Sequence, residues 1–158
     1  MSVQTVIEYL NQFGAGDRVR QFEVSSATVE LAALALGVAP QRIVKTLSFR
    51  DAESGNALLI AAAGDARIDN NKFKSGFGFK ARMLTPEEAF NLTGHAIGGV
   101  CPFALPATAR LVVDVSVQRF DLVYPAAGSP NSAVGMTPDE LFAFSRAVEW
   151  VDVCKDWS

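Results

Sequence analysis

Lys45 is the first residue whose type and setting suggest chemistry. It stands in the run Ile43-Val44-Lys45-Thr46-Leu47, where strand alternation places it on one face with Ile43 and Leu47. An ammonium among apolar neighbours is costly unless it reaches water or meets an anion. Two readings are open: a stem that packs while its charged head escapes to solvent, or a point charge in a cleft awaiting a phosphate or carboxylate. The second candidate is the loop Gly98-Gly99-Val100-Cys101-Pro102. Its glycines allow close backbone approach, Pro102 fixes the next turn, and successive bare N–H groups can receive an anion or an ester carbonyl oxygen. The plainer reading is a tight loop. No Gly-Lys-Ser/Thr follows, and the GxGxxG spacing is absent, so neither a P-loop nor a dinucleotide fingerprint is present.

His95 and Cys101 are six positions apart and could form a thiol–imidazole pair. Equally, Cys101 is a small buried hydrophobe and His95 a brace donating to a backbone carbonyl. A third group interleaves Lys72, Lys74, Lys80 and Arg82 with Phe73, Phe77 and Phe79. Cations and aromatics in alternation can hold single-stranded nucleic acid through phosphates and stacked bases; a solvated edge over core phenylalanines is the alternative. Asp114 and Asp121 have no evident carboxylate partner, which leaves a two-carboxylate glycosidase or a two-metal nuclease without support.

These residues need a scaffold. The chain has 158 residues, 49 % hydrophobic and 20 % charged, as expected of one folded domain over residues 1–158 and not of a disordered or coiled-coil protein. Fourteen Lys+Arg against seventeen Asp+Glu give a net charge of −3, which argues against non-specific duplex DNA binding and leaves room for a local basic cleft. Two cysteines and one histidine make a disulfide framework or a zinc site improbable. No signal peptide is read at residues 1–5, and the longest apolar run, 31–40, is about half of a bilayer span; a soluble, cytoplasmic protein is expected.

Hydrophobic spacing predicts a helix from Val3 through Leu10, a strand over 19–24, and a largely buried helix over 28–36 capped by Ser25-Ser26 and Gly37. A hairpin over 43–63 turns at 51–56. Residues 69–80 read as basic and flexible. Thr85-Pro86-Glu87-Glu88 and Thr137-Pro138-Asp139-Glu140 carry helix-start chemistry. Strands are expected over 111–117, 121–124 and 147–153. The fold class is mixed α/β with a mostly antiparallel, curved sheet and surrounding helices.

Taken in order, residues 43–47, Thr93 through Phe103, Tyr124 through Asn131, and Thr137-Pro138-Asp139-Glu140-Leu141 resemble the YbaK/EbsC family of aminoacyl-tRNA deacylases over nearly the whole chain. The resemblance implies a trans-editing enzyme, similar to the insertion domain of bacterial prolyl-tRNA synthetase, that hydrolyses the ester of mischarged tRNA(Pro). The family's catalytic lysine falls on Lys45 and its GxxxP loop on Gly98 to Pro102. The histidine of some members falls on His95, and the late glycine loop near the pocket on Gly128-Ser129. Residues 128–136 lack the serine and aspartate arrangement of cysteine-specific members, which points to alanine or another small residue.

On this reading the amides of Gly98, Gly99, Val100 and Cys101 receive the carbonyl oxygen. Lys45 clamps the phosphate of the terminal adenosine, and the substrate's ribose hydroxyl orients the water. Phe22, Ile43, Leu47 and Ala61 wall the side-chain pocket, and Lys72, Lys74, Lys80 and Arg82 track the tRNA. The expected partners are the tRNA(Pro) acceptor end and prolyl-tRNA synthetase, with no membrane, DNA, metal or cofactor. The alternatives are a non-catalytic module binding a charged tRNA end or a nucleotide, and thiol chemistry at Cys101.

Overall fold

The computed structural model describes residues 2–25, 28–96 and 100–158. Helix α1 (Val3–Asn11) starts at Ser2, whose hydroxyl accepts from the Thr5 N–H, and it buries Val6 and Leu10. A 3-10 turn leads into β1 (Val19–Gln21), half the length that alternation suggested. Helix α2 (Val29–Leu36) is capped by Thr28 and stops at Gly37 with φ +70°. The expected Ser25-Ser26 cap is displaced, and its second residue lies outside the described residues. Only one side of α2 is buried, at Ala32 and Ala33, while Leu34 is 80 % exposed.

The hairpin forms as expected from β2 (Ile43–Arg50) and β3 (Ala57–Ala63). Strand β4 (Arg67–Ile68) follows. Residues expected to be flexible form α3 (Asn70–Phe77), because the Asp69 carboxylate accepts the Asn71 and Lys72 N–H groups and Phe73 is fully buried. Phe73 lies 4.7 Å from Phe77 and 5.9 Å from Phe79, ring centre to ring centre, so these aromatics are core and not a stacking platform. Helix α4 (Pro86–Thr93) opens on the reciprocal Thr85/Glu88 capping box.

Strand β5 (Arg110–Asp114) ends early because the Asp114 carboxylate caps a following 3-10 turn through the Ser116 N–H. Then come β6 (Tyr124–Pro125), β7 (Ser132–Val134) and α5 (Pro138–Phe144) with its Thr137/Glu140 box. The last strands, β8 (Trp150–Val151) and β9 (Cys154–Lys155), replace the single strand expected over 147–153.

The main sheet has the order β6-β2-β3-β5-β8. Antiparallel pairing supplies its longest ladder, the seven-residue register of β2 on β3, and both of the two-stranded sheets, β1/β7 and β4/β9. The other three pairings of the main sheet are parallel. Every residue of β3 is at most 1 % exposed, as befits a central strand covered on both faces.

The register fixes which backbone groups of β2 face outward. The Asp51 N–H donates to the Asn56 carbonyl at 2.9 Å. By alternation the N–H and C=O groups of Phe49, Leu47 and Lys45 turn toward β3, and those of Arg50, Ser48, Thr46 and Val44 turn away. That outer edge is covered at one end by β6, which pairs with Ile43 and Val44. It is covered at the other end by residues 82–84: Leu84 N–H donates to the Ser48 carbonyl (3.0 Å) and Arg50 N–H to the Arg82 carbonyl (2.9 Å). Between these two covers the edge is open.

The turn after β3 presses on α2. A Cβ on Gly64 would lie 2.0 Å from the Pro40 carbonyl oxygen and 2.8 Å from Val29 Cγ1. Gly64→Ala is therefore expected to destabilise the fold by about 1–3 kcal/mol through overpacking. Urea denaturation checks this, and an unchanged midpoint contradicts it.

Candidate active site

A cleft of about 340 Å³ opens over the uncovered edge of β2. Its floor is β2 from Ile43 to Ser48. Val29 and Ala32 of α2 form one wall, and Met83, Leu84, Pro86 and Ala89 form another, while Tyr124, Ala126, Ser132 and Ala133 close the end. Helix α4 is fastened to β2 by the Arg50–Glu88 ion pair. A hydrogen bond from the Thr85 backbone, with that guanidinium, pulls the Glu88 carboxyl down to about 2.

Among the described lining residues Lys45 is the only charged one. Its Nζ makes one long contact, 3.5 Å to the Gly64 carbonyl. Burial lowers its pKa, and Asp65 and Glu30 offset part of that effect. Asp65 is already held by Arg119 through two contacts of 2.5 and 3.0 Å, so it does not neutralise Lys45 outright. The Lys45 amine thus sits half-buried and weakly held.

The structure brings Ile43, Lys45, Leu47 and Val100 to one cleft. Gly98 and Gly99 lie outside the described residues; Val100 is where the glycine loop reaches the cavity. Two expected wall residues are elsewhere. Ala61 is fully buried in β3, paired with Thr46 and Val113. Phe22 follows β1, with Arg20 over its ring at 5.5 Å and its backbone bonded to Asn131. Gly128 (φ +97°) faces α1, where a Cβ would meet Val6 Cγ2 at 2.7 Å, so its smallness serves packing and not the pocket. Ser129 bonds Asn131 and Ser132, and it is Ser132 that lines the cleft.

His95, Cys101 and Pro102 are buried behind this surface. The Thr93 hydroxyl donates to the Ala89 carbonyl and accepts the His95 N–H, turning the chain out of α4. His95 Nε2 lies 2.9 Å from the Phe103 carbonyl oxygen, so it carries the proton and donates. Cys101 Sγ is 3.5 Å from that same nitrogen, which therefore has no lone pair to take the thiol proton. Burial pushes the Cys101 thiol up to about 12. The pair braces the loop and is no nucleophile, which corrects the thiol reading.

Of the basic residues, Lys72 is engaged by Asp152 (3.1 Å) and the Cys154 carbonyl (3.0 Å) and is a brace. Lys74 and Lys80 line a second, polar hollow with Asn70 and Asn71, and Arg82 is exposed beyond it. Met83 lines the cleft only three residues after Lys80, at most about 10 Å along an extended chain. The basic hollow and the cleft are therefore neighbours.

Sequence reasoning passed over Tyr124, Ser132 and the α2 and α4 walls. Val29 and Ala32 at helical spacing were the available signal for α2. Tyr124 lacked one, because its ring lies along Gly135, where a Cβ would meet Cε1 at 3.0 Å.

A half-buried lysine thus stands in an apolar cleft that Val100 also lines, on a hairpin-centred mixed sheet. The family model described as the aminoacyl-tRNA editing domain matches residues 23–144, and the chain belongs to that family. It is 53 % identical to uncharacterized protein YwhH of Bacillus subtilis (strain 168) over 99 % of both chains. It is 29 % identical to the multifunctional Ser/Thr-tRNA deacylase ProXp-y of Escherichia coli (strain K12), covering 83 % of this chain and 80 % of that one. A crystal structure of a protein proposed as a trans-editing enzyme for prolyl tRNA synthetase superposes with a TM-score of 0.87 and 32 % identity, over 97 % of this chain and 96 % of that one. Among the described residues no helix is long and apolar enough to cross a membrane.

Burial lowers the pKa of His95, so the folded chain keeps it neutral where the unfolded chain protonates it. Stability should then fall as pH drops below about 6.5, the unfolded value. Urea midpoints at pH 7.5 and 5.5 measure this, and His95→Gln should flatten the difference. An equal slope in the variant contradicts the assignment.

Proposed function

We propose that the chain is an aminoacyl-tRNA deacylase acting in trans on tRNA(Pro) charged with a small wrong amino acid, alanine or one of similar size. The observation behind this reading is Lys45 as the one charge among the described residues lining a small apolar cleft that Val100 also lines. The family membership and the deacylase relative support the same reading.

Ester hydrolysis requires a positioned ester, a home for charge on the carbonyl oxygen, and water. Lys45 binds the phosphate of the terminal nucleotide as a point charge and so fixes the ester over β2. The amides of the loop at 98–101 receive the developing oxyanion, where one preorganised donor typically supplies about 2.7–4 kcal/mol. Lys45 is already bound to anion in this arrangement, so it is not the base. The ribose hydroxyl beside the ester orients the water. Ile43, Leu47, Val29 and Ala32 set the volume available to the side chain, and one methylene there discriminates by about 1–3 kcal/mol. Lys74, Lys80 and Arg82, close in sequence to Met83 of the cleft, take further phosphates of the acceptor end.

The test is ester loss from tRNA(Pro) carrying alanine, serine, threonine, cysteine or proline. Acceleration is expected for at least one small mischarged species and not for proline, whereas none for any species removes the deacylase reading. Saturable binding with no ester loss would instead support the non-catalytic module. Lys45→Ala should lower kcat/KM roughly 10- to 100-fold with the fold intact, the cost of one charge-assisted contact; full activity excludes Lys45 from the mechanism. Lys74→Glu with Lys80→Glu should raise KM with little change in kcat and flatten the salt dependence by about 0.7–0.9 log units per lost phosphate contact. An unchanged salt slope would place the tRNA elsewhere.

A further inference from the structure

The uncovered edge of β2 centres on Thr46. Its N–H and C=O both point away from β3, as the Asp51–Asn56 bond and the outward Ser48 and Arg50 bonds require. The pairing with β6 ends at Val44–Pro125, and the pairing with 82–84 begins at Ser48. Among the described residues no turn or loop bond reaches either outward backbone group of Thr46, and the β6 register has already stopped at Val44. Ala126 and Leu84, which flank the gap along the edge, both line the cleft, as do Thr46 and Lys45. The Ser48 N–H also turns outward with no turn or loop bond to it among the described residues, so the bare stretch is short and runs from Thr46 to that N–H. A donor and an acceptor lie in it side by side, at a position where backbone groups ordinarily find partners.

A second observation says what kind of group the gap takes. Among the described residues the cleft lining contains a cation and no carboxylate. An aminoacyl ester brings an α-ammonium that must be accepted by something, and the outward Thr46 carbonyl is an acceptor already stationed on the floor. In an antiparallel hydrogen-bonded pair two residues exchange N–H···O=C bonds in both directions. The α-ammonium, α-carbon and acyl carbonyl of an aminoacyl ester present the same donor and acceptor in the same covalent relation as a strand residue.

We propose that the aminoacyl group docks as a single added strand residue in this gap. Its α-ammonium donates to the Thr46 carbonyl, and its acyl oxygen accepts from the Thr46 N–H. The inference rests on the deacylase reading and adds to it. The edge of β2 recognises the α-amino acid main chain whatever the side chain, while the walls measure side-chain size. The Thr46 N–H then also becomes a donor to the carbonyl oxygen. Recognition through the main chain is the mode by which extended ligands add to open sheet edges, here shortened to one residue.

The experiment uses the full chain labelled with ¹⁵N and two stable probes. These are adenosine whose 3′-oxygen is replaced by an amide-linked L-alanyl group, and the propionyl counterpart that lacks only the α-amine. Saturation with the alanyl probe should move the Thr46 amide proton downfield, among the largest changes in the spectrum. The propionyl probe should bind at least tenfold more weakly, since it lacks a charged donor. A Thr46 amide unmoved at saturation, or equal affinity for both probes, overturns this inference and leaves the deacylase reading standing. No saturable binding of either probe at millimolar concentration counts against the deacylase reading itself, and the inference falls with it.

Discussion

The pairing of β2 on β3 is the constraint from which the site follows. β3 is sealed on both faces, so β2 cannot slide on it without exposing a fully buried strand. A slip of one residue would exchange the faces of β2 and carry Lys45 out of the cleft. It would also replace the outward backbone groups of Thr46 by those of Lys45 or Leu47. The turn at 51–56 holds this register: the Asp51 carboxylate accepts the Glu53 N–H at 2.9 Å, and the Asp51 N–H reaches Asn56. A polar turn some five residues away thus decides which groups meet the cleft.

Charge is handled economically around that edge. Arg119 occupies Asp65, Arg50 occupies Glu88, and Asp152 occupies Lys72. Lys45 is left with a long contact to a neutral carbonyl in a setting that disfavours its charge. A cation in that position gains more from an arriving phosphate than an exposed lysine does, since less water must be displaced and less screening intervenes. His95 and Cys101 play the opposite part. Both are fully buried, both are kept neutral by their surroundings, and both point at the Phe103 carbonyl, where they hold the chain that follows the glycine loop.

Much of the scaffold was legible from local chemistry. The hairpin announced itself by two apolar runs around a turn of Asp, Ser, Gly and Asn, and both Thr-Pro-x-Glu starts became capping boxes. The misreadings share a cause, since they concern places where tertiary contacts override local composition. Gly76 and Gly78 suggested a flexible 69–80, yet burial of Phe73 against Phe49 and an aspartate cap hold a helix there. Strands over 111–117 and 147–153 were cut short by the single buried Asp114, whose carboxylate takes the N–H groups of both Ser116 and Val153. At the site, Lys45, Ile43 and Leu47 were readable from strand alternation. Ala61 and Phe22 were not correctly placed, because alternation gives a face and not which neighbouring strand covers it. The gap at Thr46 depends on where β6 and residues 82–84 stop; the second limit is marked by Pro86, which has no N–H to carry the pairing on to the Thr46 carbonyl.

The most direct measurement of the central claim is a crystal structure of the chain bound to the alanyl-amide analogue of the aminoacyl-adenosine terminus, extended by its 5′-phosphate. The account predicts the phosphate on Lys45 Nζ, the methyl group between β2 and α2, and the acyl oxygen within hydrogen-bond distance of the β2 edge. An analogue seated away from that edge, or bound with its phosphate on other cations and Lys45 still turned to Gly64, would contradict it.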